Sequence, residues 1–199
     1  MADGSGGAIG VVRERTSAAH RRLEGRLRLT RAPSRDGYAA YLCRMYGVVQ
    51  SIQGFSTSSA ALLERLPDVA ERAHKSEALA RDLAELGVAA EGLPRLPLPE
   101  PRDAAELFGA MYVLEGSTLG GMVLARQLEA ALGALPTRYL RCYGADTAAR
   151  WRTFLGALEA FVEPEQRRRL AHSAERTFES IEAWFEQGGL LDAVERDGQ

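Results

Sequence analysis

The sequence predicts an all-α protein, a single-domain compact bundle of six to eight helices. Apolar residues recur at spacings of three and four along most of the chain, which is the period of an amphipathic helix. Signals for strands are nearly absent. The 199 residues, 46% of them hydrophobic, are enough to bury one core without disulfides or a structural metal. We expect one domain over residues 1–199, with flexible ends at about 1–10 and 188–199.

The N-terminal half is predicted to form three helices. Ser34 fits the N-cap of the second helix, which runs toward the leucines before Pro67. The third covers about 68–86 and ends at Gly87. The first carries an apolar stripe made of Val12, Thr16, Ala19, His20, Leu23 and Leu27.

The C-terminal half is predicted to form three more helices after a proline-rich connector, GLPRLPLPEPR. A long helix covers about 102–132 and contains several glycines. The next helix is capped by Asp146 or Thr147, and Pro164 opens the last one. The buried stripe of that last helix is Leu170, Ala174, Phe178, Ile181 and Phe185.

Charge and cysteine content exclude several classes of protein. The formal net charge is -2, so the total charge gives no support to nucleic-acid binding. Cys43 and Cys142 lie far apart without metal-binding spacing, as expected for reduced thiols in the cytoplasm. The start of the chain does not resemble a signal peptide. We expect no membrane span, because Glu115 and the two hydroxyl residues after Gly116 interrupt the longest apolar segment.

One of the three histidines lies on an apolar stripe. His74 and His172 fall off the stripes of their helices and are predicted to be surface residues. A buried imidazole at His20 would need hydrogen-bond partners, and Glu24 lies one helical turn away. His20 is therefore either a core histidine satisfied by Glu24, or a metal ligand whose second nitrogen faces inward. A lone ligand suits haem, whose iron brings its own equatorial nitrogens.

Arg13 precedes His20 by seven residues and returns to almost the same helix face. The offset along the axis is roughly 10 Å, about the distance from the centre of a haem to its propionates. The arginine could therefore pair with a propionate, or it could be an ordinary solvated residue.

The segment GSTLGG contains three glycines inside an apolar helix, although each costs roughly 1 kcal/mol relative to alanine. Gly116 and Gly120 share a face, and Gly121 is adjacent. Their bare backbone could lie against a flat macrocycle, and a kink there would leave room for a small axial ligand. Close packing between helices is an equally good explanation of this spacing.

Three segments together resemble the heme oxygenases: TSAAHRRLE around His20, SRDGYAAYLCRMYGVV in the second helix, and YVLEGSTLGGMVL. The similarity covers roughly residues 11–187 and points to the bacterial, biliverdin-producing branch associated with bacteriophytochromes.

The resemblance implies a role for each matching residue. His20 matches the proximal haem ligand and Glu24 the carboxylate that steadies it. The resemblance also assigns the distal-helix glycines (Gly116, Gly120, Gly121), propionate-binding arginines (Arg13, Arg152), a tyrosine of the distal hydrogen-bond network (Tyr46) and a basic residue of the distal helix (Arg126). Ser117 stands where many members carry an aspartate that organises water beside bound oxygen; serine can bond a water but carries no charge.

The resemblance further implies an oxidoreductase for which haem b is both cofactor and substrate, opened by O2 to biliverdin, carbon monoxide and iron. Electrons would come from a ferredoxin or flavoprotein reductase, because the sequence has no flavin, nicotinamide or iron–sulfur motif. A bacteriophytochrome is a possible acceptor of the product. Two other interpretations stay open at this point: a haem-storing or haem-carrying protein without turnover, and a helical module that binds no haem.

Overall fold

The computed structural model describes residues 7–66 and 68–191, and within those ranges the chain is helical, without a strand. The predicted all-α class is confirmed. The helices are α1 (Ala8–Arg26), α2 (Arg28–Arg31), α3 (Arg35–Ser58), α4 (Ala60–Leu63), α5 (Val69–Arg72), α6 (His74–Glu85), α7 (Ala104–Leu132), α8 (Thr147–Phe161) and α9 (Arg167–Gln187). Short 3-10 turns, Gly144–Asp146 and Pro164–Gln166, precede α8 and α9.

The C-terminal helix organises the bundle. α9 packs along both α1 and α7, while α7 also contacts α3 and α8, and α3 covers α6. The predicted stripe of α9 faces this core, since Leu170, Ala174, Phe178, Ile181 and Phe185 are all buried. α8 also joins the two sides, because Glu159 accepts hydrogen bonds of 2.9 Å from the amides of Ala8 and Ile9 at the start of α1. α8 and α9 therefore hold α1 and α7 in fixed positions.

Two predicted helices are interrupted in the structure. The second ends at Ser58, because the extended residue Ser59 starts the separate helix α4 and its hydroxyl accepts from the Leu62 amide. The third is divided between α5 and α6 at Ala73. Next to this break, the buried Gln53 side chain donates a 2.9 Å hydrogen bond to the Arg72 carbonyl. Both predictions of one continuous helix are therefore wrong.

The predicted helix ends have mixed outcomes. Ser34 caps α3 as predicted, by accepting a hydrogen bond from the Gly37 amide. Gly87 follows α6 with φ +77°, in the left-handed region that favours glycine. Asp146 occupies the N-cap position of α8, as predicted, but its side chain makes no capping hydrogen bond; the Thr147 hydroxyl donates to the Gly144 carbonyl. Pro164 opens a 3-10 turn that leads into α9, rather than α9 itself.

The ends of the chain are packed wherever they are described. Residues 1–6 and 192–199, part of the segments expected to be flexible, lie outside the described residues. Ala8 begins α1 and is fully buried. Leu190 and Leu191 are also buried, and the Leu190 carbonyl accepts a 2.9 Å hydrogen bond from Arg28. The inner parts of both segments therefore belong to the folded domain.

One helix corrects the expectation that no segment approaches a membrane span. By length and composition alone, the 29 residues of α7 could cross a membrane. Half of its most apolar window is buried inside the protein, where α3, α8 and α9 pack against it. This packing accounts for the apolar composition, as in the central helix of a globular domain.

Candidate functional site

His20 lies at the solvent edge of the α1 stripe. The buried members of the stripe are Val12, Thr16 and Ala19, whereas the His20 side chain is 51% exposed, so its predicted burial is wrong. Its ring meets Phe178 of α9 edge-on, with 5.8 Å between the ring centroids. His74 and His172 are exposed, as predicted.

The predicted contact between His20 and Glu24 is present. Nδ1 of the imidazole lies 3.4 Å from a carboxylate oxygen of Glu24, which is itself 70% exposed. A carboxylate at Nδ1 favours the tautomer that keeps Nε2 free of its proton and able to bind a metal. In the described ranges, no three His, Cys, Asp or Glu side chains converge as metal ligands. The local arrangement thus suits a metal that needs one protein nitrogen.

The three arginines singled out from the sequence, Arg13, Arg126 and Arg152, are exposed and make no ion pair or hydrogen bond to a described residue. They share this with other exposed arginines, among them Arg21 and Arg176. Two neighbouring arginines of α1 behave differently, because Arg15 pairs with Glu175 and Arg22 pairs with Glu182 on α9. Arg13 therefore keeps its guanidinium available on the helix that carries His20, and Arg152 does so on α8. Such groups can bind the carboxylates of a ligand.

One face of α7 is apolar and open to solvent. Gly116, Leu119, Gly120 and Val123 follow the i, i+3, i+4, i+7 pattern of a single helix face. Leu119 is 45% exposed and Val123 is 55% exposed. A Cβ atom added to Gly120 would meet nothing within 4 Å, and one added to Gly116 would meet only the Trp151 ring, at 3.5 Å. We call these four residues the open stripe.

Gly121 does not belong to the open stripe. It is buried, and an added Cβ atom would lie 2.3 Å from the Leu140 carbonyl oxygen. The glycine is needed because the segment that follows α7 packs against its backbone. Of the two explanations for this glycine segment, close packing accounts for Gly121, whereas Gly116 and Gly120 leave backbone accessible to a ligand. The predicted haem contact of Gly121 thus lacks structural support.

Ser117 and Tyr46 keep their predicted roles as hypotheses. The Ser117 hydroxyl donates a 2.7 Å hydrogen bond to the Leu114 carbonyl, which leaves its oxygen able to accept another. Tyr139 lies next to it, and burial raises the pKa of this phenol well above its usual range. Tyr46 is half-buried against the core and makes no hydrogen bond to another described residue.

A buried ionic cluster was not anticipated. Glu115, treated above as an interruption of an apolar segment, accepts hydrogen bonds from Arg72 Nη1 at 2.6 Å and Lys75 Nζ at 2.7 Å. Tyr143 donates to the same carboxylate at 3.1 Å. Burial, and then the Glu115 charge, raise the pKa of Tyr143 far above its usual range, so the phenol stays protonated. A glutamate in an apolar helix does indicate a buried partner, but its partners lie about forty residues earlier.

Comparisons with known proteins point to one family. A family model described as heme oxygenase matches residues 9–187. Heme oxygenase PigA from Pseudomonas aeruginosa is 30% identical over 171 residues, which cover 78% of this chain and 79% of PigA. The heme oxygenase of Neisseria meningitidis, solved in NO- and CO-bound forms, superposes with a TM-score of 0.76. It is 21% identical, and the match covers 97% of this chain and 98% of that one.

The sequence match and the geometry lead to the same assignment. The family model spans nearly all of the described residues. An accessible histidine on α1 and an open glycine face on α7 are features that haem could use. The chain belongs to the heme oxygenase family and is a haem-degrading oxygenase.

Proposed function

We propose that the chain binds haem b between His20 of α1 and the open stripe of α7, and opens it to biliverdin, carbon monoxide and iron. Two observations support this proposal: α1 exposes an imidazole whose Nδ1 lies beside Glu24, and α7 exposes a helix face with bare backbone. When bound, haem supplies the iron that activates O2 and the ring that is oxidised.

The open stripe supplies a wall for a flat ring. Leu119 and Val123 expose apolar surface that a macrocycle would cover, which is favourable by about 25 cal/mol per Å². Gly116 and Gly120 present backbone instead of side chains, so the ring can approach more closely than it could over alanine. This close approach would hold one ring edge near the site where O2 binds.

The unpaired arginines orient the ring. Arg13 lies about two helical turns before His20 on the same helix. Because neither Arg13 nor Arg152 is neutralised by a described carboxylate, each can form a charge-assisted pair with a propionate. These pairs would hold the haem in one orientation within the site, and that orientation would decide which meso carbon is oxidised.

Ser117 and Tyr46 handle protons and water. Ser117 can accept a hydrogen bond from an ordered water, because its own bond to the Leu114 carbonyl uses only its proton.

The reaction also needs electrons, which we propose come from a ferredoxin or a flavoprotein reductase in the cytoplasm. Transfer of biliverdin to a bacteriophytochrome is a further hypothesis, motivated by the resemblance of the three sequence segments together to that branch.

A hemin titration tests the proposal. The wild-type protein should take up one hemin per chain with a sharp Soret band, and His20→Ala should lose that band. His172→Ala is a matched control, because its side chain is 58% exposed and also lies near a glutamate. Loss of the band only in His20→Ala supports the proposal. Equal spectra and turnover in both variants would show that His20 is not the ligand.

A further inference from the structure

The Glu115 carboxylate is buried on the helix that carries the open stripe. The side chains of Lys75, Glu115 and Arg72 are 0%, 2% and 2% exposed, respectively. Both oxygens of Glu115 accept charged hydrogen bonds, one from each cation. A buried carboxylate whose two oxygens are each bound to a buried cation is costly to move, because any other position would leave a charge unpaired.

The partners of Glu115 come from several elements of the bundle. Arg72 ends α5, and its guanidinium also binds both oxygens of Asp68, at 2.7 and 2.8 Å. It reaches α8 as well, through a 2.9 Å bond to the Arg150 carbonyl. Lys75 belongs to α6 and also hydrogen-bonds the hydroxyl of Tyr143. Glu115 therefore joins α7 to α5, α6 and α8 at one point.

The cluster stands directly before the open stripe. Glu115 precedes Gly116, and Leu119 lies one turn further along. Six residues after Glu115, the Leu140 carbonyl presses against Gly121. Tyr143 and Leu140 belong to the same connecting segment, so this segment contacts α7 at both ends of the glycine run. The Leu140 contact limits how closely this segment approaches α7, whereas the directed hydrogen bonds to Glu115 fix the rotation of α7 about its axis.

Stability alone does not require these charges. Replacing a buried ion pair by packed apolar residues often leaves a protein equally stable or more stable, because desolvation offsets the attraction between the charges. Ionic contacts do restrict geometry more than apolar contacts, since each hydrogen bond has a preferred direction. The directed hydrogen bonds to Glu115 lie next to the open stripe, which must meet a ligand closely. They are therefore suited to holding α7 in one orientation relative to that ligand.

We propose that Arg72, Lys75 and Tyr143 are positioning residues that, through Glu115, fix the rotation of α7 and so determine how the Gly116 and Gly120 backbone meets the haem ring. This inference rests on the proposed function for its haem-facing part. The anchoring of α7 can be measured without haem.

Hydrogen exchange of the haem-free protein tests the anchor. In Glu115→Gln, which keeps the side-chain shape, amides of residues 118–124 should exchange at least tenfold faster than in the wild type. Asp82→Asn is the matched control, because Asp82 is fully buried and paired with Arg138 and the Tyr139 amide. It should accelerate exchange around α6 and residues 138–140, without a comparable effect at 118–124. Unchanged exchange at 118–124 in Glu115→Gln, or an equal acceleration there in Asp82→Asn, would overturn the anchor.

Product analysis tests the haem-facing part. With haem and ascorbate, Tyr143→Phe should form a wider mixture of biliverdin isomers than the wild type, while Asp82→Asn should form the wild-type isomer. Tyr143→Phe removes one hydroxyl and keeps every charge, so it also serves if Glu115→Gln does not fold. An unchanged isomer in Tyr143→Phe would contradict the role toward haem. A wild-type protein that binds no hemin would contradict the proposed function and leave the exchange result intact.

Discussion

Two pairs of glycines on α7 have opposite surroundings. A Cβ atom at Gly109 would lie 2.5 Å from the Leu170 carbonyl oxygen, and one at Gly121 would lie 2.3 Å from that of Leu140. A Cβ atom at Gly116 would make an ordinary contact, and one at Gly120 would meet nothing. The first pair is explained by packing inside the fold, whereas nothing in the folded chain requires the second pair.

This difference separates structural residues from candidate binding residues. A helical glycine that touches nothing reduces stability without a gain in packing, and the same holds for apolar residues left exposed, such as Leu119 and Val123. The charged groups divide in the same way. Glu115 is buried and paired on both oxygens, while Arg13 is exposed and has no partner within residues 7–66 and 68–191. The candidate site therefore consists of glycines without packing contacts, apolar side chains exposed to solvent and a charge without a partner among the described residues.

The largest effect should come from Gly121→Ala. The new methyl group would overlap the Leu140 carbonyl, so α7 and the following segment must separate, at a cost of about 3 kcal/mol in the free energy of unfolding. Urea unfolding of the haem-free protein measures this loss. A variant as stable as the wild type would show that the segment after α7 moves freely and that packing does not explain Gly121.

The next effect concerns ligand binding rather than folding. Gly120→Leu should raise the Kd for hemin about tenfold, equivalent to about 1.4 kcal/mol, because its side chain would stand in the proposed haem space. Gly54→Leu on α3 is the matched control, since an added Cβ atom there also meets nothing within 4 Å. The control should bind hemin as the wild type does. Equal affinities for the two variants would remove Gly120 from the haem surface.

A smaller effect of opposite sign is expected from Gly120→Ala in the absence of haem. Alanine is favoured over glycine in a helix by about 0.5–1 kcal/mol, and this position offers space for the methyl group. The midpoint of urea unfolding should therefore rise slightly. A decrease would mean that the backbone of the open stripe is not a regular helix in solution.

The smallest effect concerns the charges that add to the packing of α1 against α9. Hydrogen bonds and charges from Arg22 and Arg26 lower the pKa of Glu182 below its ordinary value of 4.5. A lowered carboxylate pKa contributes stability above pH 4.5 that disappears as the pH falls through the folded-state pKa. Between pH 5 and 3 the wild type should lose more stability than Glu182→Gln, by about 0.3 kcal/mol. Parallel pH profiles would contradict this.

The features predicted correctly from sequence depend on neighbours along the chain. Helical period, the Ser34 cap and the contact of His20 with Glu24 all involve residues within one turn, so spacing is sufficient to predict them. Exposure of His20 was not predicted, because spacing does not say how much of a stripe the neighbouring helix covers. α9 covers the middle of the α1 stripe, where Val12, Thr16 and Ala19 are buried, but leaves His20 at its edge exposed.

The features that were missed depend on residues far apart in sequence. The break at Ala73 lies where Gln53 contacts the Arg72 carbonyl, and the Glu115 cluster joins residues of α5, α6 and α7. Gly121 looks like Gly120 in sequence, and only the position of Leu140 distinguishes them. Sequence similarity could assign the family, but it could not separate the two uses of glycine.

The most direct test of the central claim is a single-turnover experiment on the wild-type protein loaded with one equivalent of hemin. With ascorbate and O2 the account predicts that the Soret band disappears while a biliverdin band rises and one carbon monoxide is released per haem. A Soret band that persists, with haem recovered intact, would identify a haem carrier and contradict the assignment of His20 and the open stripe to a haem-opening site.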